Sequence, residues 1–442
     1  MNILRKLVLL GGYGGLFFIS QAQADQVSLS LTLKEALQKA NSLNLQVMMA
    51  NARLEQAIAR ISQSQSELLP HFEGTMSGAR QSSDLRAEGL KIPIPGFASH
   101  ISPYNNFDAR LRVSIALFDP SSFERFQAAK KGENLSEAQM QKTREDVLAL
   151  VANLYIDAKR RSETLEHIKF LLDRDQMGYS LTKANLSQGL ATELDLNQSK
   201  TGLDQTKYEY AQAQIQAMDA RMDLESALQI PLDQALIFVD DRNFINTLKK
   251  NAIIFLKDQA NADMALAVSQ IVARKADEKA ALADFLPKIS GNADYGRMGE
   301  SPSHGSNTYF VGLQASLPIW EGGAQQAQLK EVKGQIKEAQ ENLTDAKQQE
   351  ELNMAKAEAS IEETKDLLTV KLQGKLTAQR SLGVALHAND IGSGNVFQVR
   401  QSRADLAMAQ DDYSEAEATS LLAYVDLLHA EGHLRDLMTK ED

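Results

Sequence analysis

Phe107-Asp108-Ala109-Arg110-Leu111-Arg112-Val113-Ser114-Ile115-Ala116-Leu117 is the stretch on which the fold turns. Its odd positions are Phe, Ala, Leu, Val, Ile and Leu, and its even positions are Asp, Arg, Arg, Ser and Ala. A period of two sets the apolar residues on one face of a strand and the charged ones on the other. Tyr309, Val311, Leu313, Ala315 and Leu317 repeat the pattern, with Gln314 and Ser316 on the opposite face. A weaker alternation precedes each. His71 to Arg80 has Phe72, Gly74 and Met76 on one face, and Lys288 to Met298 has Ile289, Ala293 and Tyr295. All four segments predict strands of about 10 residues, the length of a tilted strand crossing a bilayer. A half-buried soluble sheet would show the same alternation, but this chain supplies no globular core to cover the apolar faces.

The rest of the chain repeats once around these strands. Leu69-Pro70-His71-Phe72-Glu73-Gly74 returns as Leu286-Pro287-Lys288-Ile289-Ser290-Gly291, an offset of 217. Leu117-Phe118-Asp119 returns as Ile319-Trp320-Glu321 at an offset of 202, and Gly189 returns as Gly392 at 203. The first copy therefore holds an excess between Asp84 and Asn106, where Pro93, Pro95, Gly96 and Pro103 predict a longer loop. Each copy reads as a helical segment (Leu33 to Glu67; Leu248 to Asp284), a hairpin and a very long helix. A glycine-containing break and a second helix of about 40 residues follow. The division is 1–24 for a sorting signal, 25–240 for the first repeat and 241–442 for the second. The hairpins are placed at 71–118 and 287–319, and the long helices at 121–229 and 323–433.

The long helices carry a heptad seam: Val147, Val151, Leu154, Ala158, Arg161, Leu165, Ile168, Leu172. Ser121 to Ala184 holds no proline, and its length as a helix is roughly 96 Å. Gly323 to Ala388 is similar. Such a helix is a coiled-coil rod or a stave of something tubular. Arg5 and Lys6, the apolar run Leu7 to Ile19 and Ala22-Gln-Ala24 read as a secretory signal peptide. Its removal takes the net charge from -11 to -13, because two cations leave. No later apolar run is long enough for a spanning helix, so a membrane would be crossed by strands.

Composition narrows the function. With 0 cysteines there is no disulfide scaffold, thiol chemistry or cysteine-ligated metal, and no lipidated N-terminus is expected. The acidic balance argues against nucleic acid as a partner. His429 and His433 stand four apart around Glu431, as a metal pair on a helix would, but no third ligand accompanies them. No phosphate-cradling loop and no nucleophile–base set occurs. The chain is read as not an enzyme and as needing no cofactor or metal.

Four strands cannot close a barrel, and open edges cannot face lipid. Bacterial barrels start at about 8 strands, so two chains would give 8 and three 12, and an open bore favours three chains or more. The polar set Asp108, Arg110, Arg112 and Gln314 then lines water in the barrel lumen. This is an oligomeric conduit with helical rods continuing the tube.

The duplicated helix–hairpin–long helix–helix order resembles the TolC-like outer-membrane efflux proteins across the whole mature chain. So do Leu69-Pro70 and Leu286-Pro287 opening the hairpins, and Leu317-Pro318-Ile319-Trp320-Glu321-Gly322-Gly323 closing the second. The resemblance implies a mainly helical homotrimer with a 12-strand outer-membrane β-barrel in lipid and an α-helical periplasmic tunnel. It implies a passive exit duct of a tripartite efflux or type I secretion system. A periplasmic adaptor (membrane fusion) protein would deliver cargo from an inner-membrane RND, ABC or MFS pump.

The two breaks are then the periplasmic entrance and adaptor-docking tips. Gly189 and Gly392 suit left-handed helix ends, and Thr192 and Asn395 suit N-caps. Ser393 lies between the second pair. An ordinary helical turn accounts for the same residues. In the family an aspartate ring often lines the entrance, at the sixth and ninth positions after the second glycine. This chain has Gln398 and Gln401 there, while Asp195 and Asp390 hold nearby carboxylates. Rings of carboxylates favour cations, and glutamine does not. The alternative reading is a periplasmic coiled-coil structural or adhesin-like protein, which has no need of four alternating segments.

Overall fold

A computed structural model describes residues 29–84, 89, 100–231, 236–254, 261–391 and 396–439. The signal segment 1–24 and Gly392, Ser393 and Asn395 lie outside the described residues. In chain order the elements are β1 (Leu29–Leu31), α1 (Leu33–Leu43), α2 (Leu45–Ser66), β2 (His71–Asp84) and β3 (His100–Phe118). Then come α3 (Pro120–Ser187), α4 (Glu193–Leu228), β4 (Leu236–Phe238), α5 (Arg242–Ile254) and α6 (Ala262–Ala283). Last are β5 (Lys288–Gly299), β6 (Gly305–Ser316), α7 (Ala324–Asp390), α8 (Val396–Glu431) and α9 (Asp436–Thr439).

The four alternating segments form one antiparallel sheet in the order β2-β3-β5-β6. They run 14, 19, 12 and 12 residues, longer than the bilayer-crossing estimate. The extra residues of the first copy are therefore not all loop. Asp84 pairs with His100 and Gln81 with Tyr104, which extends the first hairpin as a ribbon. Pro103 fits inside β3 because the register shifts between Gln81 and Ser83, and a bulge has no need of its missing N–H.

Below the sheet stand the staves. α3 is 68 residues and α7 is 67, each about 100 Å long at 1.5 Å per residue. Asp119 starts α3, accepting from the amides of Ser121 and Ser122 at 3.1 Å, with Pro120 in the first turn. α4 and α8 are 36 residues each, slightly short of expectation. Nearer the sheet, α2, α3, α6 and α7 pack in that order; farther away the order is α4, α3, α8, α7. Every layer, sheet included, is thus a row of four with two open edges.

The leading helical segments are each broken, where sequence periodicity suggested one run. Asn44 has an extended backbone between α1 and α2. Its side chain accepts from the Gln46 amide at 2.8 Å and donates to the Ala227 carbonyl at 2.9 Å. Asn261 starts α6 in the same way, accepting from Met264 at 2.8 Å and donating to the Ala430 carbonyl at 3.0 Å. Each asparagine satisfies a helix start and a helix end at once. Both are buried.

The main core gathers around the middle of α3. Val147, Leu148, Val151 and Ala152 pack there with Leu31, Leu37, Leu224, Leu248 and Leu428. Val147, Val151 and Ala158 of the heptad seam are buried and Leu154 partly so; from Arg161 to Leu172 the seam is only half-buried. Tyr155 projects from α3 and donates to the carbonyls of Leu31 (3.0 Å) and Val239 (3.2 Å). That clasps the parallel pair β1–β4, which no sequence pattern had indicated.

Removing the asparagine clasp should loosen this middle region. Asn44→Ala and Asn261→Ala should each cost about 1–2 kcal/mol, from the lost cap and the orphaned carbonyl. Asn→Ser should retain the cap and lose only the bond to the distant carbonyl. Urea unfolding of the detergent-solubilised chain followed by circular dichroism ranks wild type, Asn261→Ser and Asn261→Ala in that order.

Candidate functional site

The sheet register places the predicted luminal residues on one face. Glu73, Arg112, Asp294 and Phe310 form one row across the four strands; Thr75, Arg110, Gly296 and Thr308 form the next. Arg110 donates to Asp108 through Nε at 2.8 Å and Nη2 at 2.5 Å, and to Asp294 through Nη1 at 3.1 Å. It crosses onto β5 because Gly296 leaves room: a Cβ there would stand 2.4 Å from the Cβ of Arg110. Gln314 is on the same face but farther along, opposite Ser290. The pattern did not single out Phe310, whose ring lies over Gly312 on this polar face.

The opposite face is apolar and uncovered. Phe72, Val113, Ala293 and Val311 form one row, followed by Gly74, Leu111, Tyr295 and Tyr309. Val311 and Leu313 are each 77% exposed. An apolar face this continuous, backed by an ion-paired polar one, suits a wall between hydrocarbon and water.

At the far end, Gly189 takes φ +72 after α3. The amides of Leu190 and Gly189 bond back to the carbonyls of Asn185 (2.8 Å) and Leu186 (3.0 Å), the double closure typical of a left-handed helix end. Thr192 caps α4, and Asp195 reaches back to its amide at 2.8 Å, a capping box. Bonds from the Thr192 side chain and amide hold the Asp195 carboxyl below the usual aspartate range. Leu190 and Leu194 stand exposed beside this turn. Asp390 ends α7, and Gln398 and Gln401 lie in the first turns of α8, where Gln401 donates to Asp405 at 2.8 Å.

The structure adds an antiparallel ladder between α3 and α8 that sequence reasoning missed. Arg400 pairs with Asp173, Thr164 donates to Asp411 at 2.6 Å with His167 at 3.3 Å, and Ser414 meets Glu163. Burial alone would raise the Asp411 carboxyl, yet His167, Thr164 and the charge of Arg160 hold it below its ordinary value. On the α4 side, Thr206 donates to Asp175 at 2.5 Å. The two C-terminal histidines do not share a helix face, because α8 ends at Glu431 and Gly432 turns with φ +74. His429 meets Asp146 at 3.1 Å and His433 meets Asp436 at 2.8 Å.

A family model described as outer membrane efflux protein matches residues 36–228 and 257–433. The chain is 26% identical over 380 residues to the probable efflux pump outer membrane protein TtgC of Pseudomonas putida, covering 83% of this chain and 72% of that one. It is 21% identical to outer membrane protein TolC of Vibrio cholerae, over 91% of each chain. The alkaline protease secretion protein AprF of Pseudomonas aeruginosa is 24% identical over 65% of this chain and 61% of its own. Its fold matches the Campylobacter jejuni CmeC outer membrane channel with a TM-score of 0.72 at 18% identity, over 91% of this chain and 85% of that one. Membrane strands above long helical staves, with these relatives, define an outer-membrane exit duct with a periplasmic tunnel. The chain belongs to the outer membrane efflux protein family.

One buried carboxylate gives a pH prediction. Glu431 is only 6% exposed, and among the described residues neither carboxyl oxygen has a hydrogen-bond partner. Burial pushes its pKa up to about 7, against the pull of His433 and with the push of Glu358. The folded chain then holds this proton more tightly than the unfolded one. Its stabilising influence is full below the ordinary glutamate pKa and is lost as the pH rises toward 7. Glu431→Gln should raise the thermal midpoint at pH 8, by roughly 1–2 kcal/mol of stability after screening, and change little at pH 4.

Proposed function

We propose that three copies close edge to edge into a 12-strand barrel over a helical tunnel, forming a passive homotrimeric duct. The single observation that carries this is the four-stranded sheet with two unpaired edges and one exposed apolar face. Two copies would give 8 strands, whose bore side chains fill; three leave it open. Asp108, Arg110, Arg112 and Gln314 line the water-filled lumen. The leader 1–24 is removed on export, and the two repeats 25–240 and 241–442 each supply half a protomer's wall.

The tips around Gly189, Thr192 and Asp195, and around Asp390, Gly392, Ser393, Asn395, Gln398 and Gln401, form the entrance and dock a periplasmic adaptor. An inner-membrane pump of the RND, ABC or MFS class supplies the energy. Capped helix ends with exposed Leu190 and Leu194 support this reading, since they present apolar side chains that no described element of the same chain covers. Cargo is read as crossing unaltered, with no catalytic step.

A photoreactive residue at Ser393, activated in cells, should capture an adaptor together with its pump. Outer-membrane fractions lacking the protein, with only cell-wall material captured, would return the reading to a structural rod. The entrance should also be weakly selective. Gln398 and Gln401 carry no charge where a carboxylate ring would stand, and the ionised Asp195 carboxylate is turned back onto the Thr192 amide and hydroxyl. In a KCl gradient across a planar bilayer, the reversal potential should indicate modest cation preference and move little in Asp195→Ala. Strong preference abolished by that substitution would overturn the charge-poor entrance.

A further inference from the structure

Just below the sheet, one face from each of α2, α3, α6 and α7 converges on a groove of about 520 Å³. Its floor is small or apolar, with Gly132, Ala281 and Val332; its walls carry Arg60, Arg125 and Asp284. One observation places it on the tunnel side. Lys288, on the polar face of the sheet, reaches Asp284 at 3.9 Å and the Ser121 hydroxyl at 2.7 Å. The polar face of the barrel wall therefore runs continuously into the groove.

Most of the charges on its lining are already paired. Arg125 holds Asp284 at 2.7 Å, and Asp277, also on the lining, is held by Arg274 at 3.2 Å. Among the described residues no carboxylate lies within ion-pair distance of Arg60. A guanidinium presents a planar fork of donors that matches a carboxylate or sulfonate. The volume suits a compact organic molecule, and the alanine-rich floor suits an apolar body.

We propose that this groove is a binding station for small organic anions with a compact apolar body, the head on Arg60 and the body on the floor. It rests on the duct reading, because only there does cargo pass this wall. It gives the passage a chemical preference that the glutamines of the tips do not.

The test is binding of 2-naphthoate to the detergent-solubilised full chain, read by saturation-transfer NMR, with 2-naphthamide as the neutral control. Planar-bilayer conductance is recorded on the same preparation. Naphthoate should bind the wild type in preference to the amide, at least tenfold more weakly to Arg60→Gln, and with partial recovery in Arg60→Lys. Gly132→Leu should also abolish binding. A Cβ at that position meets nothing within 4 Å, so the side chain fills the groove without displacing the wall. Absence of binding, equal binding of the amide, or unchanged binding in Arg60→Gln each overturns the proposal. Conductance without binding removes the groove and leaves the duct. Binding without conductance keeps the groove and removes the duct.

Discussion

A strand edge exposes a row of unpaired amides and carbonyls, and hydrocarbon offers them no partner. Among the described residues β2 and β6 are such edges, and nothing of the same chain covers the apolar face between them. The rest of the architecture follows from this incompleteness. The sheet is a fragment of a wall, and the helices below repeat the same arrangement in rows of four. α3 and α7 run through both helical rows. A rigid continuation of the wall therefore costs no new connections, only length.

Internal duplication sets where each stave bends. The asparagine that breaks the first helical segment binds the carbonyl at the end of the returning helix, and its counterpart in the second copy does the same. At the returning-helix ends the copies diverge in residue but not in geometry. Gln229 takes φ 55 where the second copy has Gly432 at φ 74. A left-handed non-glycine residue is uncommon, and here its side-chain amide bonds the Ser226 carbonyl at 2.8 Å. The geometry thus outlasts the residue type usually needed for it.

What was legible in the sequence was what local periodicity encodes. Phe107 to Leu117 alternates because one face meets lipid and the other water, and that requirement is written residue by residue. The Gly189–Thr192 turn was legible for the same reason: its signals lie within a few residues. Periodicity was silent where structure depends on distant partners. Asn44 reads as one more polar residue in a helical run until Ala227 is beside it. Tyr155 reads as a core aromatic, and only the fold supplies two carbonyls for its hydroxyl. Pro103 signalled a loop because a regular strand has no place for it, but a bulge does. The ladder from Arg400–Asp173 to Ser414–Glu163 needs the antiparallel register of two helices more than 200 residues apart, which no window reveals.

That ladder bears on how such a tunnel can both hold and yield. Buried apolar contacts resist separation roughly in proportion to the area re-exposed. Partly exposed ion pairs contribute little to net stability, because water replaces each partner at small cost. Between α3 and α8 the lower contacts include the second kind, Arg400 with Asp173 and His167 and Thr164 with Asp411, beside the Phe397 ring packed at Gly178. Higher up, at Val147 to Ala158 and Leu421 to Leu428, they are of the first kind. One seam therefore runs from a densely apolar middle to an end where ion pairs join the apolar contacts. The helix pairs α3–α4 and α7–α8 are anchored at the buried core, and their least costly contacts to break lie toward the tips.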